Sequence, residues 1–310
     1  MEFLEQLELI LKSGLQQGFL FGFMVLGVWI TFRVLDFPDL TVDGSLPLGA
    51  AVTAAMIFAG HSPFLATFVG VIAGLLAGLV TGSLHLLLKS GGGESTNYGP
   101  KLLSGILIMT ALYTVNLRVM GGPNRPLMRR DTIFEQMAQF FTGGGSTELT
   151  GWWLILALLL IMIAVKYVLD WFFHTELGQA MLAIGDNEQM VRSLGVNVDA
   201  VRVLGLGISN AMVAFSGSLL AQAQGSADVN MGIGTIVAGL AGVVMGEVIF
   251  GKRSISWVLF SVVGGSLVFR VLIAIAYRLG LPTTDFKLLM AALVVVALSL
   301  PVVRRKVLKQ

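Results

Sequence analysis

In a chain of 310 residues, 55% hydrophobic and only 12% charged, there is about half the charge of a soluble domain, which averages roughly 25%. A mean hydropathy of +0.86 agrees, so a water-soluble globular fold is excluded and a membrane protein is expected. The formal net charge of +2 names no partner, and the lack of cysteine excludes disulfides and thiol-ligated metal sites.

The first residues, "EFLEQLELILKSG", alternate acidic and apolar positions at helical spacing, which predicts an interfacial helix lying on the outer face. Glu2, Glu5 and Glu8 precede Lys12, so the basic start of a secretory signal is missing and no cleaved leader is expected. A spanning helix needs about 20 mostly apolar residues. Runs of that kind fall near 15–35, 46–60, 64–88, 102–120, 152–173, 201–222, 233–250, 255–277 and 286–303. They predict an all-α polytopic membrane protein with about nine transmembrane or re-entrant helices. The run 46–60 is short and holds Pro47 and Gly49, which suggests a broken or re-entrant helix, and 233–250 is a second candidate to enter and turn back. Trp152 and Trp153 open one span and Trp171 closes it, as indoles do at the two membrane interfaces.

Lysine and arginine in short loops tend to stay in the cytoplasm. With the polar stretch 174–198 inside, Lys89, Lys101, Lys252, Arg253, Arg304, Arg305, Lys306 and Lys309 also fall inside. The N-terminus is then outside and the C-terminus inside. Arg125, Arg129 and Arg130 are the misfits, in an outer loop 121–151 that Asp131, Glu135 and Glu148 partly offset.

Small residues recur every four positions at Gly70, Gly74, Gly78 and Gly82, at Gly14, Gly18 and Gly22, and at Gly234, Ala238, Gly242 and Gly246. Such spacing lines one helical face and lets backbones approach closely. It serves tight packing inside one bundle or, on some faces, sliding or dimer contacts.

Chemical motifs are weak. "GEVIFGKR" nearly fits a phosphate-binding loop but carries Arg253 where a magnesium-binding hydroxyl is needed, and it closes an apolar run. His61, His85 and His174 are scattered without metal-ligand spacing, and "GISNA" is not a hydrolase elbow. No catalytic residue and no metal site is expected. Nor is there a chain of intramembrane acids suited to proton coupling, so the chain is expected to lack an energy source of its own.

One stretch breaks the apolar pattern: "HTELGQAMLAIGDNEQMVRSLGVN", residues 174–197. Asp186 or Asn187 can cap a helix, with Gln189 completing a box-like pair after Asp186, and Gly195 can end it in a left-handed cap. Met190, Val191 and Leu194 form a small apolar stripe between the caps. A two-turn helix is marginal alone, and an apolar stripe on it suits a groove on another protein. The plain alternative is a solvated linker.

"ELGQAMLAIGDNEQMVRSLGVNVDAVR" resembles the cytoplasmic loop of permease subunits of ATP-binding-cassette (ABC) importers of the branched-chain amino acid and ribose type. Gly178, Ala180, Ala183, Gly185, Asn187, Gly195 and Val198 fit that loop, while Ser193 stands near a position where the family carries alanine. "LTVDGSLPLGAAVTA", "ADVNMGIGTIVAGLAGVVMGE" and "LGLPTTDFKLLMAALVVVAL" are similar to further family segments, so the likeness covers most of the chain. It is nearest to a branch associated with aromatic and other amino acids.

The resemblance implies a single permease domain over 1–310, with 174–198 as its coupling loop. Gly178, Gly185, Asp186, Asn187, Glu188, Met190, Val191, Arg192, Leu194 and Gly195 would then form the contact with a separate ATP-hydrolysing subunit, in two copies, which would bind the ATP and magnesium. It further implies a permease homodimer in a bacterial cytoplasmic (inner) membrane, an external substrate-binding protein, and a small polar solute, first of all an amino acid. Thr41, Asp43, Ser45, Asn116, Asn230 and Arg270 are the polar positions expected along the path. The helix start after Gly232 and Gly234 is a place where a substrate carboxylate would be favoured. Arg125, Arg129 and Arg130, with the segment 225–232, are expected to dock the binding protein, Met190, Val191 and Leu194 to face the ATPase, and Glu188 and Arg192 to lie at the rim of that contact. Arg270, deep in its run, is expected to face protein and be paired. The competing readings are a secondary transporter or channel acting alone and, behind it, a membrane-embedded enzyme.

Overall fold

The computed structural model describes residues 2–91, 98–127, 131–142 and 152–278, with isolated positions between 288 and 299. Arg129, Arg130, the C-terminal basic residues and most of the run 286–303 lie outside the described residues. In chain order the elements are α1 (Glu2–Trp29), α2 (Val42–Phe58), α3 (Pro63–Gly91), α4 (Tyr98–Met120), β1 (Asn124–Pro126), α5 (Ile133–Thr142), α6 (Trp152–Phe173), α7 (Glu176–Asp186), α8 (Glu188–Ser193), α9 (Val198–Gln224), β2 (Ser226–Asp228), α10 (Thr235–Phe250) and α11 (Ile255–Arg278). A π-helical turn, Ile30–Val34, extends α1, and a 3-10 turn, Val229–Gly232, precedes α10.

Among the described residues, seven helical stretches are long and apolar enough to cross a membrane, and α2 is a shorter apolar helix. The protein is therefore an all-α, multi-pass membrane protein. Three local expectations change. The N-terminal residues form no separate interfacial helix: Glu2–Trp29 is one continuous helix. The helix runs through Gly14 and Gly18 because their bare backbones make room for Val271 and Leu267 of α11. The second run is not broken either. Pro47 lies inside a continuous α2, where it leaves the Asp43 carbonyl without its usual i+4 amide. Gly232 passes so close to that carbonyl that a side chain would not fit. Finally, the run 233–250 forms an unbroken α10, within a stretch long enough to cross.

The chain forms two compact units. One comprises Met1–Leu26, Glu148–Asp170 and Val237–Gln310. In it Ser266 Oγ donates to the Gly18 carbonyl at 2.9 Å, and α10 packs on α11 where Gly246 meets the Ser261 carbonyl and Gly265 meets that of Gly242. Arg270 is 7% exposed, with its guanidinium 3.3 Å from the centroid of the Phe21 ring. It does not face lipid. A desolvated cation–π contact is worth about 2 kcal/mol or more, so Arg270→Leu should lower the yield and melting temperature of detergent-extracted protein before it changes selectivity. Full yield with altered substrate preference would place this side chain in the path instead.

The other unit comprises Gly27–Thr147 and Trp171–Ile236. Its centre is α9, flanked by α2 and α3. Gly74 and Gly78 of α3 take in the Asn210 and Leu206 carbonyls of α9, while Gly70 lies against Ser218 and Gly82 against Val203. This glycine ladder thus serves packing within the chain. A short antiparallel ribbon joins the loop after α4 to the one after α9, pairing Asn124 with Asp228 and Pro126 with Ser226. Arg125 is tied down there: it donates to the Met120 carbonyl at 2.8 Å and lies 4.2 Å from the Phe58 ring centroid. Its charge holds the ribbon to the ends of α4 and α2.

Candidate functional site

The polar segment folds as two helices. Thr175 starts α7 by accepting from the Gly178 amide at 3.3 Å. Met181 and Ile184 are buried on one face. Gly178 abuts the Phe172 carbonyl and Gly185 the Val34 carbonyl, with no room for a Cβ. These two glycines therefore pack against their own chain and are no part of an outward surface. Asp186 is the last residue of α7 and does not cap the next helix. Asn187 does: with φ −157° and ψ 94° it leaves the helical region, and its Oδ1 accepts from the Met190 amide at 3.0 Å. The end is as the sequence predicts, with Gly195 at φ +83° and its amide donating to the Arg192 carbonyl at 3.0 Å.

The apolar stripe of α8 is divided. Met190 and Leu194 are 48% and 73% exposed, but Val191 is buried at 2%. Val191 anchors α8 to its own chain, so only the other two stand out for a partner.

Nor is Glu188 an isolated rim charge. Its carboxylate accepts from Arg192 at 2.9 Å and from Arg202 of α9 at 2.6 Å, and Lys89 of α3 lies 3.9 Å away. Asp199 closes the cluster, with Arg192 at 2.9 Å and Lys89 at 3.5 Å. Burial alone would raise the Glu188 pKa, but the hydrogen bonds from Arg202 and Arg192 outweigh it and hold the carboxyl below its ordinary value. Five charged side chains thus bind a six-residue helix to two long ones. Nothing in the sequence marks Arg202, Asp199 and Lys89 as a set; a basic residue at the second position of the run 201–222 is the available signal.

Four of the six path candidates gather around the first turn of α2. Thr41 Oγ1 lies 2.9 Å from Thr81 Oγ1. Ser45 donates to Asn210 Oδ1 at 2.7 Å, and Asn210 Nδ2 in turn donates to Asp39 Oδ2 at 2.7 Å. Asp39 also receives the Thr41 amide at 2.9 Å. All five side chains are buried. Burial pushes the Asp39 carboxyl up, against the hydrogen bonds from Asn210 and Thr41. Asn116 donates to the Gly44 carbonyl at 3.1 Å, while its own side-chain oxygen is buried without a partner among the described residues.

Asp43 overturns one expectation. Its carboxylate accepts from the Gly234 amide at 3.0 Å, the Thr235 hydroxyl at 2.9 Å and the Ile236 amide at 2.9 Å. The positive end of α10 is therefore already filled by a carboxylate from the chain itself, and a substrate carboxylate has no vacancy there. Asn230 lies apart, exposed in the 3-10 turn, its amide bonded to Asp228 Oδ1 at 2.6 Å. Arg270 belongs to the other unit.

A multi-pass helical protein with a short, doubly capped helix projecting between two spans and a buried polar centre is built as a transporter subunit. The chain belongs to the family described as the permease component of branched-chain amino acid transport systems, whose model matches residues 10–298. It is a permease subunit of an ABC importer for small solutes, a family that works with an ATP-binding subunit and a substrate-binding protein. It is 40% identical over 287 residues, 93% of this chain and 90% of the relative, to a tyrosine transport system permease protein of Clostridioides difficile. It is 30% identical to an uncharacterized protein of Rickettsia prowazekii, across 94% of this chain and 97% of that one. A ribose import permease protein of Haemophilus influenzae is 25% identical, over 72% of this chain and 64% of the relative. No solved structure gives a significant match.

Proposed function

We propose that the chain forms the translocation path of an amino-acid importer, with an aromatic amino acid such as tyrosine as substrate. The observation that carries this reading is the 40% identity to a tyrosine permease along 93% of the chain. Two copies of the chain line the path, and two copies of a separate ATPase bind ATP and magnesium and hydrolyse ATP. The protein lies in the bacterial inner membrane with the N-terminus outside and the C-terminus inside. An external binding protein docks on the loop that holds Arg125, Arg129 and Arg130 and selects the solute. Thr41, Ser45 and Asn116 serve the path through the polar centre at the start of α2. Radiolabelled tyrosine uptake by cells carrying the chain, its ATPase and its binding protein tests the substrate. Uptake of ribose in place of any amino acid would overturn it.

Residues 174–198 are the coupling loop, in which Met190 and Leu194 enter a cleft of the ATPase. Two exposed apolar side chains on a helix fixed by caps and ion pairs support this assignment. Burying such a side chain contributes roughly 1.5–3 kcal/mol. Leu194→Asp should therefore lower the ATPase that co-purifies with the permease by tenfold or more and abolish uptake. Unchanged stoichiometry together with full uptake would make the segment a linker.

A further inference from the structure

Between α1, α6 and α11 runs a groove of about 710 Å³. Its walls are apolar over most of their length: Phe19, Met162, Ile163, Phe260, Val263 and Leu267. Its polar residues lie together at one end, where Lys166 and Tyr167 of α6 meet Ser254, Ser256 and Trp257 at the start of α11. The sequence explains the grouping. α6 ends at Phe173 and α11 begins at Ile255, so the last turns of one and the first turn of the other stand side by side, and Lys166 donates to the Ser256 hydroxyl.

Among the described residues the charges at this mouth do not cancel. Lys166 is matched by Asp170 at 3.3 Å and Lys252 by Glu247 at 3.0 Å. Arg253 has no carboxylate partner among the described residues. Its guanidinium rests 5.7 Å from the centroid of the Trp257 ring, a wall of the groove. The first turn of α11, which adds the positive end of a helix, is capped by Ser254, whose Oγ accepts from the Trp257 amide at 3.3 Å. The length is informative too. From Trp257 to Val268 the helix rises about 16 Å at roughly 1.5 Å per residue, close to half of the ~30 Å hydrocarbon core. The groove thus has the depth of one leaflet, an apolar body, Tyr167 and Trp257 at its polar end and, beside its mouth, a guanidinium with no carboxylate partner among the described residues.

We propose that this groove binds one anionic phospholipid, its acyl chain along Phe19, Met162, Val263 and Leu267 and its phosphate at Arg253 and the first turn of α11. Gly264 shapes the floor: a Cβ there would run into the Phe250 ring, which itself stands edge-on to Phe260 at 5.9 Å. A neutral lipid fits the apolar body equally well, so the preference for an anionic headgroup rests on Arg253.

The test uses the full-length permease in detergent, stripped of lipid, with phosphatidylglycerol or phosphatidylcholine of identical acyl chains added back. The wild-type melting temperature should rise by several degrees with phosphatidylglycerol and by clearly less with phosphatidylcholine. Native mass spectrometry should show one retained phosphatidylglycerol per chain. Arg253→Gln should equalise the two lipids without lowering the unliganded melting temperature, and Ile163→Trp, which fills the groove from its exposed wall, should abolish retention of both. Inorganic phosphate alone should give no shift. Equal stabilisation of the wild type by both lipids overturns the proposal. So does protection by free phosphate, which would indicate an ion site. If Ile163→Trp instead turns a dimer into a monomer by light scattering, a second copy of the chain covers the groove and the lipid assignment is wrong. None of these readouts depends on which solute the permease carries.

Discussion

Asp43→Ala should cost the protein more than any other single change at the polar centre. The carboxylate satisfies two backbone amides at the start of α10 and accepts from the Thr235 hydroxyl, which also lies 2.9 Å from the Gly232 carbonyl. Leaving a buried donor without an acceptor costs about 1–3 kcal/mol for each group, and the helix end also loses its complementary charge. The expected loss is roughly 3–5 kcal/mol, seen as a large fall in melting temperature and in membrane yield. Asp43→Asn keeps one acceptor oxygen and should fall between the two. Uptake should decline in step with folded protein, with the substrate concentration for half-maximal rate unchanged in whatever folds. A variant that keeps its stability but shifts that concentration tenfold would show Asp43 facing the solute after all.

Glu188→Gln is the second large effect, and its size exceeds what the sequence suggests for a rim charge. Arg202 has a side chain only 3% exposed, and Glu188 is its nearest carboxylate. Removing one partner of a fully buried pair costs about 3–5 kcal/mol; here Asp199 remains 3.8 Å from Arg202 and Glu188 is itself 31% exposed, so roughly 1–3 kcal/mol is expected. Arg192→Gln removes a side chain 42% exposed and should cost at most about 1 kcal/mol. In the assembled importer Glu188→Gln should hold the ATPase yet uncouple it, with ATP hydrolysed and little solute moved. Parallel losses of both activities would reduce the cluster to a fold-stabilising role. The pH dependence follows from the lowered pKa of Glu188. A carboxyl held below its unfolded value adds stability that is present above the ordinary carboxylate range and lost as the pH falls through the folded value. Wild-type stability should therefore drop on acidification below that range, and the drop should be shallower in Glu188→Gln.

What the sequence reveals about this protein depends on the range of the interaction. Spans are local: a run of apolar residues declares itself, and all seven long stretches of the structure lie on runs legible in the sequence. The caps of α8 are local too, since Asn187 and Met190 are three residues apart and Gly195 acts through its own φ. The role of Val191 was not legible, because the chain that buries it comes from elsewhere in the fold and no periodicity in six residues records that. The same holds for Asp43, which finds its partners 191 to 193 residues away, and for Ser45 with Asn210, separated by 165. A charged residue before an apolar run reads equally well as a cap for a distant helix or as a lining for a pore. The ribbon of β1 and β2 is three residues on each side, too short to leave a pattern. Within the resemblance, Glu188 was visible as a position but not as the junction of two helices.

The glycine ladder between α3 and α9 bears on how such a machine can move. Each carbonyl of α9 that enters a notch on α3 sits against bare backbone: a Cβ at Gly78 would run into the Leu206 oxygen, and one at Gly74 would come within 2.5 Å of the Asn210 oxygen. Gliding of one helix past the other would have to lift these carbonyls out of their notches, in the manner of a key seated in its keyway. A transition that opens and closes this permease is then expected to carry α3 and α9 together and to bend at segments without notches, such as the π-helical turn after α1 and the left-handed bend at Asp36 (φ +46°).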